Sequence, residues 1–488
     1  MADNLPNIVL IYTDQQRYDT LGANGNDLIN TPNLDRMAQE GTIFANNYVT
    51  TPLCVPSRVG LFTGRYNHTN LSYNNDRLMF ERESDFVDLL QGAGYHTGMV
   101  GKDHCFGHRL EEVFDFYRMA THTAFVPPSN EVEKKINEYR QDKMYLPFCE
   151  DPFPPEEEIT AKVFQWAKDY VEMMEEKEDP FFLWISVPDP HPPYMVPEPY
   201  SKMYKDVDIP PPVWEEGEME DKPYRQQLVV EWDKYGSDYP KEEDLLRLRE
   251  IYWGMVSNID DKVGGFLDRL ESRGIDEDTL VVFTSDHGDY MGDHRMIRKG
   301  PHLYDALVHT PLIFRWPGKI KRQRTETMVC NIDLFPTICD FIEVEVPPFV
   351  QGESFREVLL GDEGGGRERV FLEYGDPGSP LQPGELSSER EKELGENKGH
   401  HLCEEIRRGR TKGVRTDKWK YCLTPGGRDE LYDLESDPGE LENLANDAQY
   451  GELIAEFKRE ILEWLVRTED NSATGVGESI VPKLMEED

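Results

Sequence analysis

A chain of 488 residues with 38% hydrophobic and 11% aromatic side chains exceeds one ordinary domain and can bury a large core. Its 95 acids against 53 bases leave a formal net charge of -42, which excludes nucleic acid and anionic membranes as partners, since both are held by basic patches. Seven cysteines (54, 105, 149, 330, 339, 403 and 422) are odd in number and lack C-x-x-C spacing, so neither a disulfide framework nor a zinc site is expected.

In chain order, Met1–Pro6 shows no basic segment followed by an apolar stretch, so the expectation is a soluble, cytoplasmic protein. Asn7–Thr13 is a β-branched apolar run ending at Asp14, the pattern of a buried parallel strand. The pattern returns at Thr97–Gly101 before Lys102, at Phe181–Val187 before Pro188, and at Leu280–Ser285 before Asp286. Helices are predicted over Thr31–Glu40, Asp85–Gln91 and Asp244–Ser272. This alternation predicts a large doubly wound α/β domain over residues 1–365. Two polar insertions, about 108–160 and 197–245, read either as lids over the substrate or as mobile surface. Residues 366–488 read as a smaller α+β domain. It has a charged, mobile stretch at 385–399, a strand pair within 413–423, a closing turn from Glu430 and an amphipathic helix over Tyr450–Arg467.

In open α/β sheets, ligands collect at the carboxyl ends of the strands. Those ends offer Asp14-Gln15, Lys102-Asp-His104, Asp189-Pro-His191 and Asp286-His287, with Lys299 downstream. Each pair alone also reads as a turn, and Cys54 alone reads as a buried small hydrophobe. The run Thr51-Pro-Leu-Cys-Val-Pro-Ser-Arg-Val-Gly-Leu-Phe-Thr-Gly-Arg65, however, resembles the motif of type I sulfatases in which this cysteine becomes formylglycine. Thr284–His294, Lys299–Tyr304 and Pro311–Gly318 resemble the second metal-ligand segment of that family within the alkaline phosphatase superfamily. Glu430-Leu-Tyr-Asp-Leu and Glu440-Leu-Glu-Asn-Leu resemble its C-terminal segment, so the resemblance covers nearly the whole chain.

The resemblance implies an alkaline-phosphatase-like sandwich that hydrolyses a small anionic sulfate monoester. Asp14, Gln15, Asp286 and His287, with an oxygen of residue 54, would hold one divalent cation, calcium first and magnesium or manganese as alternatives. Cys54 would be converted by a formylglycine-generating enzyme or a radical maturase. Arg58 and Lys102 would fix residue 54 and the sulfate charge, His191 and Lys299 would serve the leaving oxygen, and His104 would take a proton from residue 54. The alcohol reads as a carbohydrate, with aryl and choline sulfates also open. A phosphonate or phosphate ester hydrolase and a non-enzymatic metal-binding relic are the competing readings, and the Lys102–His104 pair favours sulfate. Oligomeric state is not legible.

The chain also departs from the family pattern. Gln15 stands where many sulfatases have a second aspartate, His287 where many have asparagine, and Asp103 interrupts a Lys-Trp-His segment. Asp103 either lies near the cations or points away. Arg17 reads as a contact to a second anionic group or as a solvent-facing helix-start residue, and Asn74 and His302 as pocket residues. Cys105, His294, His309 and His400-His401 read as packing or surface residues.

Overall fold

The computed structural model of the chain describes residues 5–469 apart from 82, 144–147, 178, 233–241, 363, 384 and 386–405. Most of the charged stretch at 385–399, together with His400, His401 and Cys403, lies outside the described residues.

Fifteen strands are described: β1 Asn7–Asp14, β2 Thr42–Tyr48, β3 His96–Gly101, β4 Phe116–Ala120, β5 Phe125–Val126, β6 Phe148–Glu150, β7 Phe181–Pro190 and β8 Tyr194–Val196. They continue with β9 Thr279–Ser285, β10 Leu312–Arg315, β11 Gln323–Cys330, β12 Arg369–Tyr374, β13 Thr411–Thr416, β14 Trp419–Leu423 and β15 Glu430–Asp433. Nine of them form one sheet in the order β11-β2-β10-β9-β1-β7-β3-β4-β5. The central neighbours β9, β1, β7 and β3 run parallel, and β10 and β5 are antiparallel to their partners. A second sheet, β12-β13-β14-β15, is antiparallel.

The period of two along β1 explains the sandwich. Ile8, Leu10 and Tyr12 enter one core with Val55, Phe62, Phe86 and Phe335, from helices Cys54–Thr63, Phe86–Gly92 and Leu334–Phe341. Val9 and Ile11 enter the opposite core with Leu34, Val163 and Val263, from helices Pro32–Glu40, Ile159–Met174 and Glu242–Arg273. Both faces of the central strands are therefore apolar, which is why they read as unbroken hydrophobic runs.

Three elements differ from the sequence reading or add to it. Glu430–Asp433 is a strand rather than a turn: it pairs with β14 and buries Leu431 in the small sheet's core and Tyr432 against Tyr290 and Tyr304. The segment 108–160 carries β4, β5, helix Glu131–Asp142 and β6, and 197–245 carries helix Tyr224–Trp232. No helix of the described residues is long and apolar enough to cross a membrane.

Candidate metal and catalytic centre

Four adjacent parallel strands end on one side of the sheet, and their ends deliver Asp14, Lys102, His191, Asp286 and His287. Cys54 opens the wholly buried helix Cys54–Thr63, where the helix dipole favours negative charge. Its Sγ lies 3.6 Å from Asp14 Oδ1, 3.4 Å from His287 Nε2 and 3.0 Å from Lys299 Nζ. One ligand atom each from Asp14, Cys54, Asp286 and His287 falls within 4.8 Å of the others, all four residues being buried. His287 Nδ1 donates to Gly288 O at 2.8 Å, which leaves Nε2 as the atom facing the cluster. Two carboxylates and one free imidazole nitrogen are a donor set that suits one hard divalent cation.

Cationic side chains surround this cluster. Arg58 donates through Nε and Nη2 to Asp286 Oδ2 at 3.0 and 2.9 Å, through Nη2 to Asp14 Oδ2 at 3.2 Å, and through Nη1 to Ser186 Oγ at 2.7 Å. Lys102 is ion-paired with Asp14. Burial opposes a charged Asp14, but Lys102 together with His191 and His122 outweighs it and holds the carboxyl well below its ordinary value. Asp286 shifts the other way, raised by burial and by the neighbouring Asp14 charge. Burial and Asp14 resist a thiolate at Cys54, yet Lys102, Lys299 and His287 pull its pKa well below that of a free thiol. Burial lowers Lys299, and the negative charge at Cys54 and Asp14 more than restores it.

The remaining sequence candidates divide by position. Gln15, at φ 71°, accepts from Lys299 Nζ through Oε1 at 2.9 Å and donates through Nε2 to Asp289. Asp289 also accepts from Tyr194 Oη at 2.7 Å. His104 is left-handed at φ 45° and faces Cys54, and its buried Nδ1 has no hydrogen-bond partner. Asp103 points away from the cations: it accepts from the backbone N–H of Cys105, Phe106 and Gly107 at 3.1, 2.8 and 2.7 Å.

Arg17 corrects both expectations placed on it. It is buried, not in solvent, and its guanidinium is taken up by Asp19, Asp293 and the carbonyls of Asp289 and Tyr290, so it has no fork left for a substrate anion. Asn74 donates to Asp376 at 2.9 and 3.1 Å, tying its loop to the segment after β12. His302 is buried, bonded to Tyr290 Oη and stacked on Tyr304, away from the cluster. Cys105 and His294 are core residues, and His309 stacks between Tyr18 and Tyr48.

Sequence reasoning missed His122, on the β4–β5 turn. Its Nε2 is 2.7 Å from Lys102 Nζ, and burial followed by the Lys102 charge pushes its pKa down to about 3. Nothing in the run around it marks a strand end. Asp289 was also missed: it lies inside Thr284–His294 and was not singled out there.

Comparison with known proteins agrees with this geometry. The model of the Sulfatase family matches residues 6–344. An arylsulfatase of Clostridium perfringens is 28% identical over 503 residues, covering 96% of each chain. An N-acetylglucosamine-6-O-sulfatase of Bacteroides thetaiotaomicron is 26% identical over 532 residues, covering 95% of this chain and 86% of that protein. Among solved structures, a phosphonate monoester hydrolase of Agrobacterium radiobacter superposes with a TM-score of 0.76 at 26% identity, covering 95% of this chain and 96% of that one.

Proposed function

Because the chain belongs to the sulfatase family, we propose that it breaks the S–O bond of a sulfate monoester, with residue 54 as nucleophile after its cysteine has become formylglycine. The observation that supports this most is the convergence of Asp14, Asp286, His287, Arg58, Lys102 and Lys299 around one buried sulfur at a helix start. That sulfur marks where the oxygens of the oxidised residue would stand. Asp14, Asp286 and His287, with Gln15 beside them, would hold one divalent cation, calcium first and magnesium or manganese after it, which supplies charge neutralisation when bound.

The chain's own residues divide the rest of the work. Arg58 and Lys102 fix residue 54 and the sulfate charge, Arg58 through the two carboxylates that take its donors. Lys299, 3.0 Å from Sγ, and His191 protonate or stabilise the leaving oxygen. His104, against the side chain of residue 54, takes the proton released there. Oxidation of Cys54 requires a formylglycine-generating enzyme or a radical maturase as partner. The substrate reading is a carbohydrate sulfate. It rests on the likeness to the N-acetylglucosamine-6-O-sulfatase, and Arg17, held by Asp19 and Asp293, adds nothing to it. A second reading, phosphonate ester hydrolysis at the same site, is favoured by the likeness to the Agrobacterium radiobacter hydrolase. Lys102 and His104 weigh against it.

The test is protein co-expressed with a maturase, with the mass of the residue-54 peptide measured. Release of sulfate from an aryl sulfate and a sulfated amino sugar is followed beside cleavage of an aryl phosphonate, with calcium or manganese added. An aldehyde at 54, with sulfate release that drops about a thousandfold or more in Cys54→Ala, is the expected result. Cleavage of the phosphonate alone would establish the second reading, and an unmodified cysteine with no ester cleaved would leave a metal-binding relic.

A further inference from the structure

His122 stands partly buried beside the metal cluster, yet the reaction above gives it no task. It comes from the turn between β4 and β5 at the edge of the nine-stranded sheet, not from any of the four central strand ends. Its Nε2 lies 2.7 Å from Lys102 Nζ and 3.4 Å from Asp14 Oδ2. An ammonium can only donate, so Nε2 must accept, and the ring proton sits on Nδ1. Lys102 is thereby held from two sides, by the Asp14 carboxylate and by the His122 imidazole. The His122 ring also stacks on His191, with centroids 3.5 Å apart and planes 17° from parallel. His191 Nδ1 donates to Pro192 O at 2.6 Å, so that ring is fixed at one edge by backbone and across one face by His122.

Asp14, His122 and His191 each place a ligand atom within 4.8 Å of the others, the spacing of a cation site. A positive charge already stands there: it is the Lys102 ammonium, and a metal would have to displace it from Asp14. A lysine gripped by metal-type ligands accounts for the cluster without a second ion.

The surrounding fold fixes this arrangement. Arg140, with no exposed surface, donates through Nη1 to His122 O at 3.3 Å and through Nε and Nη2 to Asp151 at 3.2 and 2.7 Å. The same Nη1 lies 4.0 Å from Asp189 Oδ1, two residues before His191. One buried guanidinium therefore bonds the turn that carries His122 and lies beside the end of β7 that leads to His191. Asn137 clamps the neighbouring Phe125, accepting from its N–H at 2.8 Å and donating to its carbonyl at 3.0 Å.

We propose that His122 is a positioning residue of this site, resting on the sulfate-ester reading: it aims Lys102 at the ester's charged oxygens and holds the plane of His191. His122→Ala is expected to lower kcat/KM for an aryl sulfate about 10- to 100-fold, most of it in kcat. His122→Gln keeps an acceptor without a ring, and His122→Phe keeps a ring without an acceptor, so each recovers part of the loss. In a Lys102→Ala background, His122→Phe costs less than twofold further, because the missing acceptor has nothing left to hold.

A readout without turnover is histidine-selective 15N NMR of the unmodified protein. It is expected to show His122 as the Nδ1–H tautomer, with Nε2 moving in Lys102→Met. Loss of less than twofold in His122→Ala, an undiminished His122→Phe effect without Lys102, or an Nε2–H tautomer would each overturn the proposal. Melting temperatures of all variants separate misfolding from mispositioning, and Gln and Phe carry the test where Ala does not fold. Wild-type protein that cleaves no sulfate ester would sink the sulfate reading while the tautomer and its response to Lys102 still judge His122.

Discussion

Two carboxylates buried side by side repel each other unless a cation stands between them, and Arg58 spans Asp286 and Asp14 with one planar fork. A lysine at 58 would bring one ammonium and no fork, so it could not serve both carboxylates and Ser186 together. Arg58→Lys is therefore expected to cost about 1–3 kcal/mol of unfolding free energy, and Arg58→Met about 3–5 kcal/mol, because a fully buried charge loses its partner. Urea denaturation in EDTA measures both. If Asp14 and Asp286 are ligands, added calcium should stabilise Arg58→Met more than it stabilises the wild type. A loss under 1 kcal/mol in Arg58→Met would mean that the carboxylates are not held apart as charges.

At the scale of the element, the turn after β3 decides whether His104 reaches residue 54. His104 is a non-glycine residue at φ 45°, a conformation that costs about 1 kcal/mol or more unless the surroundings enforce it. Asp103 enforces it by accepting three successive backbone N–H groups. Asp103→Ala should lower stability by about 1–2 kcal/mol and reduce kcat, whereas Asp103→Asn, which keeps Oδ1 as acceptor for Cys105 and Phe106 but turns an NH2 toward the Gly107 N–H, should restore part of both. Equal damage from the two substitutions, read by thermal melts and initial rates, would show that the charge rather than the cap matters.

The same turn shows what was legible in the sequence. β1, β3, β7 and β9 are buried on both faces, so they appear as continuous apolar runs, and the polar residues at their ends could be picked out by position. β4 is an edge-side strand with exposed Tyr117 and Arg118, and β5 has two residues, so neither leaves such a run and His122 passed unnoticed. β15 failed for a related reason: Leu431 and Tyr432 between acids form too short an apolar run to separate from a turn. Arg17 was misplaced because its partner Asp293 lies far along the chain, in a loop whose return to β1 no local pattern records.

Across the whole molecule, buried polar contacts tie the small antiparallel sheet to helices and loops outside it. Lys420 of β14 meets Asp305 at 2.6 Å and Glu440 at 2.7 Å, and Arg225 donates to Gly409 O at 2.8 Å. Glu373 of β12 is the densest of these ties. It pairs with Lys412 of β13 and accepts from the backbone N–H of His68 at 3.1 Å, while His68 Nε2 lies 2.8 Å from Thr468 Oγ1. Burial opposes the Glu373 charge, but Lys412 and then His68 outweigh it and hold the carboxyl well below its ordinary value of 4.5.

A carboxyl depressed in the folded state stabilises fully above its unfolded pKa, and that contribution fades as pH falls below it toward the folded value. Glu373→Gln should therefore cost about 3 kcal/mol at pH 7, where Lys412 is left buried without its counter-charge. The gap between the two proteins should narrow by at least about 1 kcal/mol at pH 3.5, where the unfolded wild type has taken up the proton and the folded one has not. Paired urea titrations at the two pH values read this directly. A gap of equal size at both would mean that Glu373 holds β13 and the His68 helix by shape and hydrogen bonding alone, with its charge contributing nothing.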